Sequence, residues 1–400
     1  MSRPLGLYLH IPYCSGKCHY CGFYSQPVSS KAALTTYKAA LLSAIRRLAG
    51  LTADTLFMGG GTPSVLGDNG IAQLLSAARD AFSMPADAEI TVEVNPEATV
   101  IDAAAGFFAE PVRAGLNRVS IGMQSAHDGE LKAAGRRHSM ADVRRTVAAA
   151  RAAGIKNLSL DLIAGLPGQT AQSLLDSVDA AADLSPEHLS LYLLSVEPGT
   201  VFAQRRDALS LPDSDALAEL YLLAAERLDK HGFTQYEISN FARPGCECRH
   251  NLKYWTLADY VGLGPAAHSL LNGRRFYYPD SVDAFLAGAP PVDEPEGSLV
   301  PAGSWQERLL LHTRLCRGFD TEAEARSQAV KAAGFDTKAE VLSQTAKATF
   351  DAEAFWAAAA PLITGGLARR EEGRLCLTRA GMLVQNSVVG QLIDAGLSGE

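Results

Sequence analysis

The sequence predicts an α/β protein: a partial, open (β/α)6 barrel followed by a smaller, helical, winged-helix-like C-terminal domain. Three observations carry this. Six short runs are near-continuously apolar and end in Gly, Pro or a polar residue, as parallel strands buried on both faces do. Longer Ala- and Leu-rich amphipathic stretches lie between them, which makes each strand the start of a right-handed β/α crossover. Six units fall short of the eight that close a full barrel, so the barrel is open; a doubly wound sheet is the alternative arrangement of the same units.

In chain order the strand candidates are "LGLYLHI", "TLFMGGG", "EITVEVNP", "RVSIGMQS", "LSLDLIAGLPG" and "LSLYLLSVEPG". Between them, "KAALTTYKAALLSAIRRLAG" and "MADVRRTVAAARAAG" read as helices, the second closed by the turn glycine Gly154. Residues 1–200 form the barrel and 201–287 an extension of it. Segment 288–304, "GAPPVDEPEGSLVPAGS", is rich in Pro, Gly and acidic residues and reads as a linker. Residues 305–400 follow as the C-terminal domain: "SWQERLLLHTRLCRG" is helical, and "GGLARREEGRLCLTRAGMLVQNSVV" alternates like a small hairpin leading into a helix.

Composition narrows the function classes. A 400-residue chain that is 47% hydrophobic and 20% charged can bury one large core and a smaller one, with nothing that favours disorder. The N-terminus shows no secretory pattern, and the most apolar later stretch, "FWAAAAPLITGGLA", is broken by Pro361, Gly365 and Gly366 before it reaches the roughly 18 residues of a spanning helix. A cytoplasmic protein is expected. Its 7 cysteines, an odd number, point to metal ligation or free thiols rather than a disulfide framework. A net charge of −8 argues against broad nucleic-acid binding.

Strand ends are where ligands gather in such folds, and the unusual residues lie there. Cys14, Cys18 and Cys21 follow the first strand in C-x3-C-x2-C spacing, which lets a short loop wrap several thiolates around one metal centre. A structural zinc site takes four ligands, and the next cysteine is Cys246, so His10 or His19 would have to complete it. Three thiolates suit a [4Fe-4S] cluster with one iron left open. At the second strand end, Gly59, Gly60 and Gly61 let backbone groups approach a ligand closely, unless they only make a strand-to-helix turn.

The cysteine triplet after a first barrel strand, with Tyr20 just before its third member, resembles the signature of the radical S-adenosylmethionine (SAM) superfamily, and "MGGGTPS" resembles that family's glycine motif. The resemblance implies a [4Fe-4S] cluster on Cys14, Cys18 and Cys21 whose open iron is chelated by SAM. It also implies SAM contacts at Tyr8, Tyr20, Gly60, Gly61, Thr62, Glu93, Gln124, Arg136 and Asp161, in family order along the chain. Each of the last four, taken singly, reads equally well as a solvated end of a strand or helix.

Within the superfamily the chain is most similar to the coproporphyrinogen dehydrogenase-like branch of HemN and HemW. HemN enzymes carry a further cysteine two residues after the third and a long N-terminal arm. Here Phe23 stands at that position and thirteen residues precede Cys14, which matches the HemW heme chaperones instead. "HNLKYW", residues 250–255, fits the H-N-x-x-Y-W motif associated with heme in that family. The resemblance therefore implies heme binding by His250, Tyr254 and Trp255, with Lys253 facing a propionate. The alternative is a structural histidine with core aromatics, and Cys246, Cys248 and His268 are rival ligands; Cys316 and Cys376 read as core thiols. The implied function is delivery of heme to respiratory proteins, from the cytoplasm or the inner face of the membrane, with a homodimer left open. The alternative is a radical SAM enzyme: an oxygen-independent coproporphyrinogen III dehydrogenase or a methyltransferase.

Overall fold

The structure, a computed structural model, describes residues 4–97, 100, 106–294, 303–332 and 350–397. It divides into two compact units. The first comprises Met1–Thr234, Ser239–Lys253 and Ala258–Asp293; the second comprises Gln235–Ile238, Tyr254–Leu257 and Glu294–Glu400.

The first unit is built on six parallel strands in chain order: β1 (Leu5–Ile11), β2 (Ala53–Gly60), β3 (Glu89–Val94), β4 (Arg118–Gln124), β5 (Asn157–Ala164) and β6 (His188–Leu193). Their apolar residues are sealed on both faces: Leu7, Leu9, Leu56, Met58, Val119, Ile121, Leu160 and Leu162 are all fully buried. Helices pack outside through one apolar stripe each. In α1 (Lys31–Arg47) the buried residues Tyr37, Leu41, Ala44 and Ile45 recur at helical spacing, and Ser30 caps the start by accepting from the Ala33 N–H. α2 (Gly67–Ala81) buries Ile71, Leu74, Leu75 and Ala78 in the same way. α3 (Met140–Ala152) and α4 (Ala171–Asp183) begin with capping boxes, Ser139 with Asp142 and Thr170 with Ser173, which fix where the chain turns into each helix. α5 (Ser214–Lys230) is capped by Asp213.

The six-stranded core does not end where the six units end. β7 (Asn240–Ala242) adds antiparallel to β6. After the short helix α6 (Arg249–Trp255), β8 (Tyr260–Leu263) inserts parallel on the free side of β1, with Gly6 opposite Tyr260. An antiparallel meander, β9 (His268–Leu271), β10 (Arg274–Tyr277) and β11 (Val292–Asp293), extends that side. The first part of the Pro-rich segment 288–304 is therefore paired strand at Val292–Asp293, while 295–302 lies outside the described residues.

In the second unit a three-stranded sheet of Phe319–Asp320, Ala368–Glu371 and Arg374–Leu377 packs with α7 (Trp305–His312), α8 (Thr321–Ala332) and α9 (Ala352–Thr364). Trp305, Leu309, Phe319, Phe355 and Leu375 form its core. Arg308 spans from α7 to α8 in a two-pronged ion pair with the buried Glu324, at 2.6 and 2.7 Å. The hairpin and following helix expected over 365–389 are present as Ala368–Glu371, Arg374–Leu377 and the helices Arg379–Leu383 and α10 (Gln385–Leu397).

Candidate cofactor site at the mouth of the barrel

Parallel strands deliver their C-terminal ends to one edge of the sheet, and there a cavity of about 570 Å³ opens, within the size range of cofactor sites. Cys14, Cys18 and Cys21 line it from the loop after β1. That loop is held rather than free. Tyr13–Cys14 pairs with Gln26–Pro27, the His19 N–H donates to Ala134 O at 3.0 Å, and the Tyr20 ring packs against Ala134, Ile163 and Leu166.

The turn after β2 meets this loop from the other side. Gly61 N–H donates to Ile11 O at 2.8 Å and Thr62 N–H to Tyr13 O at 2.7 Å. A Cβ at Gly61 would sit 2.6 Å from both carbonyl oxygens, and Gly60 adopts φ +101°, so both positions require glycine. Thr62 is thereby placed so that its hydroxyl donates to Cys14 Sγ at 3.3 Å.

Two carboxylates face the cavity from β3 and β5. Burial pushes Glu93 up to about 8, with the nearby Asp161 charge adding to the rise and the Gly60 N–H, 3.2 Å away, opposing it. Asp161 is also raised by burial, against hydroxyl donors from Ser190 and Ser120, the latter at 3.1 and 3.2 Å. Two buried carboxylates beside the Ser120 and Ser190 hydroxyls suit a ligand that carries both a positive charge and hydroxyls. Gln124 closes β4 at φ +66°, in the left-handed region, where the register with β5 shifts and the strand turns toward the cavity that Gln124 lines. Arg136 lines the same cavity and points Nη1 at Cys18 Sγ, 3.3 Å away.

The cavity thus gathers the three cysteines with Tyr20, Gly60, Gly61, Thr62, Glu93, Gln124, Arg136 and Asp161. Tyr8 is the exception. Its hydroxyl is engaged with His10 Nδ1 at 3.0 Å and its ring stacks on Phe57, so it does not line the cavity and buttresses the wall behind it. Both histidines considered as a fourth zinc ligand are engaged as well: His10 Nε2 with Tyr24 O, and His19 Nδ1 with Ala133 O. Among the described residues no three His, Cys, Asp or Glu converge as a single-ion site. Three thiols spread around one cavity, with donors aimed at two of them, fit a cluster whose separate irons take separate thiolates. Sequence reading missed Asn95, Ser120 and Tyr192, which share the lining; Asn95 and Tyr192 had the one signal of position at a strand end, while Ser120 lies within β4 and had none.

The H-N-x-x-Y-W segment lies elsewhere. His250 is fully buried at the opposite end of the strands, where Nδ1 is 2.8 Å from Thr55 Oγ1 and the ring stacks on Phe57 at 5.4 Å. Glu89, the first residue of β3, caps the start of α6 by accepting from the His250 and Arg249 N–H groups. Burial lowers His250 to about 3, so the ring is neutral but has no exposed edge to offer an iron. These surroundings are those of the structural alternative, a hydrogen-bonded core histidine. Lys253 pairs with Asp54 at 2.7 Å instead of facing solvent, and Trp255 carries the Arg314 guanidinium 4.3 Å over its ring. The division between units passes through α6, so Tyr254 and Trp255 belong to the second. Of the rival ligands, Cys248 is buried, with its thiol pushed up to about 12 and donating to Glu89, whereas His268 is exposed and stacked on Tyr277. Burial likewise raises Cys316, to about 11, and Cys376.

A six-stranded barrel with three cysteines at its first strand end defines the class, and the radical SAM superfamily profile matches residues 8–181. The fold is that of the radical SAM coproporphyrinogen III oxidase HemN of Escherichia coli, at a TM-score of 0.77 over 98% of this chain and 90% of that one, with 23% identity. Closer in sequence are the heme chaperone HemW of Mycobacterium tuberculosis H37Rv, 41% identical over 72% of this chain and 75% of the relative, and HemW of Escherichia coli K12, 40% identical over 66% and 70%. The chain belongs to the HemW family.

Proposed function

We propose that this protein is a heme chaperone that binds heme and hands it to respiratory proteins, working from the cytoplasm or the inner membrane face, and that it keeps a [4Fe-4S] cluster and a SAM site. The observation that carries the second half is the single cavity that collects Cys14, Cys18 and Cys21 with Glu93, Gln124, Arg136 and Asp161. The three thiolates would hold the cluster, which supplies one-electron chemistry when bound. Glu93 would accept from the ligand's ammonium, Arg136 would meet its carboxylate, and Asp161 with Ser120 would hold the ribose hydroxyls. Gly60 and Gly61 leave room for its methionine end. Sequence kinship to heme chaperones supports the first half.

The cavity rim adds support. Phe23, which replaces the extra cysteine of the HemN pattern, is 70% exposed, and Tyr192, which lines the same cavity, is 42% exposed. Exposed rings beside a cavity suit the face of a flat apolar macrocycle. Among the described residues no helix is long and apolar enough to cross a membrane. The test is anaerobic reconstitution followed by paired assays: heme binding and transfer to an apo-cytochrome, and conversion of coproporphyrinogen III. Iron–sulfur absorbance that disappears in Cys14→Ala, Cys18→Ala and Cys21→Ala, with heme transfer and no conversion, is expected. Turnover of the porphyrinogen would overturn the chaperone reading, and stoichiometric zinc in place of iron would overturn the cluster.

A further inference from the structure

Asn95 lies just past the end of β3, between Thr62 and Arg136, and its hydrogen bonds can be given only one direction. Arg136 can only donate, so its Nη2, 2.6 Å away, fixes the Asn95 Oδ1 as acceptor. Asn95 Nδ2 must then face Thr62 Oγ1, at 2.9 Å, and donate to it. With its oxygen already accepting, the Thr62 hydroxyl has its one proton free for Cys14 Sγ, at 3.3 Å. On the other arm, Arg136 is held by Asn95 and by Gly122 O at 2.8 Å, which aims Nη1 at Cys18 Sγ at 3.3 Å.

Resting on the cluster reading above, we propose that Asn95 is a positioning residue that sets two donors at once on the ligand sulfurs of Cys14 and Cys18, and so raises the reduction potential of the cluster they hold. A donor to a ligand sulfur stabilises the reduced cluster, which carries one more negative charge, over the oxidised one. The amide is the one side chain suited to the place. It offers an acceptor to a guanidinium and a donor to a hydroxyl in the same plane, which neither aspartate nor leucine of similar size can do.

The test is an EPR-monitored redox titration of the reconstituted full chain, with iron and sulfide content measured in each variant. Asn95→Ala loosens both donors and is expected to shift the midpoint to more negative values, by about tenfold in the reduced-to-oxidised ratio at fixed potential, or ~59 mV for a one-electron couple. Asn95→Asp keeps the Arg136 contact but turns the Thr62 proton toward the new carboxylate, so it too shifts negative. Thr62→Val removes the Cys14 donor alone and gives a smaller shift. Because Asn95 acts partly through Thr62, the double variant Asn95→Ala/Thr62→Val shifts less than the sum of the singles. A full iron complement with an unchanged midpoint in Asn95→Ala, or strictly additive shifts, overturns the proposal while leaving the cluster reading intact. If Asn95→Ala retains no cluster, Asn95→Asp and Thr62→Val decide by the same criterion. A wild-type chain that takes up no iron and sulfide overturns both.

Discussion

Replacing His250 separates a structural histidine from a heme ligand. Its ring is fully enclosed, hydrogen-bonded to the buried Thr55 hydroxyl and stacked on Phe57. His250→Ala therefore strands a buried hydroxyl, at about 1–3 kcal/mol, and forfeits an aromatic contact of roughly 0.5–1.5 kcal/mol. The first unit is expected to lose about 1.5–4.5 kcal/mol in all, read by hydrogen exchange of β1 and β2 amides or by thermal unfolding. The Soret spectrum of heme bound to the surviving folded protein should not change. His268→Ala is the comparison, since that imidazole is exposed. Unaltered stability together with a changed Soret band in His250→Ala would refute the reasoning.

Glu93 gives a pH dependence whose sign follows from its rise to about 8. Near pH 7 only about one molecule in ten carries the anion and near pH 9 about nine in ten, so SAM affinity should climb about tenfold over that span with proton release. Glu93→Gln should abolish that part of the slope by calorimetry, the ligand's own titration cancelling in the comparison. Without ligand the folded state binds the extra proton, so its stabilising effect is present below the ordinary carboxylate range and lost as pH rises through about 8. An identical slope in wild type and variant excludes Glu93 from the site. Gly61→Ala should drive the β2 turn away from Ile11 O and Tyr13 O and cut iron retention after reconstitution; Gly129→Ala, where nothing lies within 4 Å, is the tolerated control. In the second unit Arg308→Ala leaves the Glu324 carboxylate buried and unpaired, at a cost of about 3–5 kcal/mol. Unchanged thermal unfolding in that variant would show the pair to be dispensable.

The strands were legible because each had to be apolar on both faces, a pattern that survives without any neighbour in view. "LGLYLHI" coincides with β1 from Leu5 to Ile11, and "RVSIGMQS" overlaps β4 to within one residue. Cys14, Cys18 and Cys21 drew notice by their spacing, whereas Glu93 and Asp161 stood out only through the family resemblance, since a lone carboxylate at a strand end reads equally well as solvated. β8 was not, because four residues after a short helix carry no sign of which strand they will join, and its partner β1 is set only by the folded sheet. Burial of His250 was equally hidden. A motif states which residues recur together, while whether an imidazole faces a ligand or Thr55 depends on a strand nearly 200 positions away. The surroundings of Tyr8 were hidden for a related reason: alternation puts it on a face of β1, and His10 on that same face meets its hydroxyl.

The pairing of β1 with β8 also orders events in the life of the chain. Gly6 cannot find Tyr260 until the intervening sequence has been made, and at about 5–20 residues per second that takes roughly 13–50 s. Throughout this interval the strand that launches the cysteine loop is an open edge, and Cys14, Cys18 and Cys21 sit on an unfinished wall. Metal or oxidant that reaches the thiols on the nascent chain meets a loop still free to take other shapes. The wall of the cavity is therefore complete only once Tyr260 has been made, and a chain truncated before Tyr260 should expose these thiols to alkylation far faster than the full chain does.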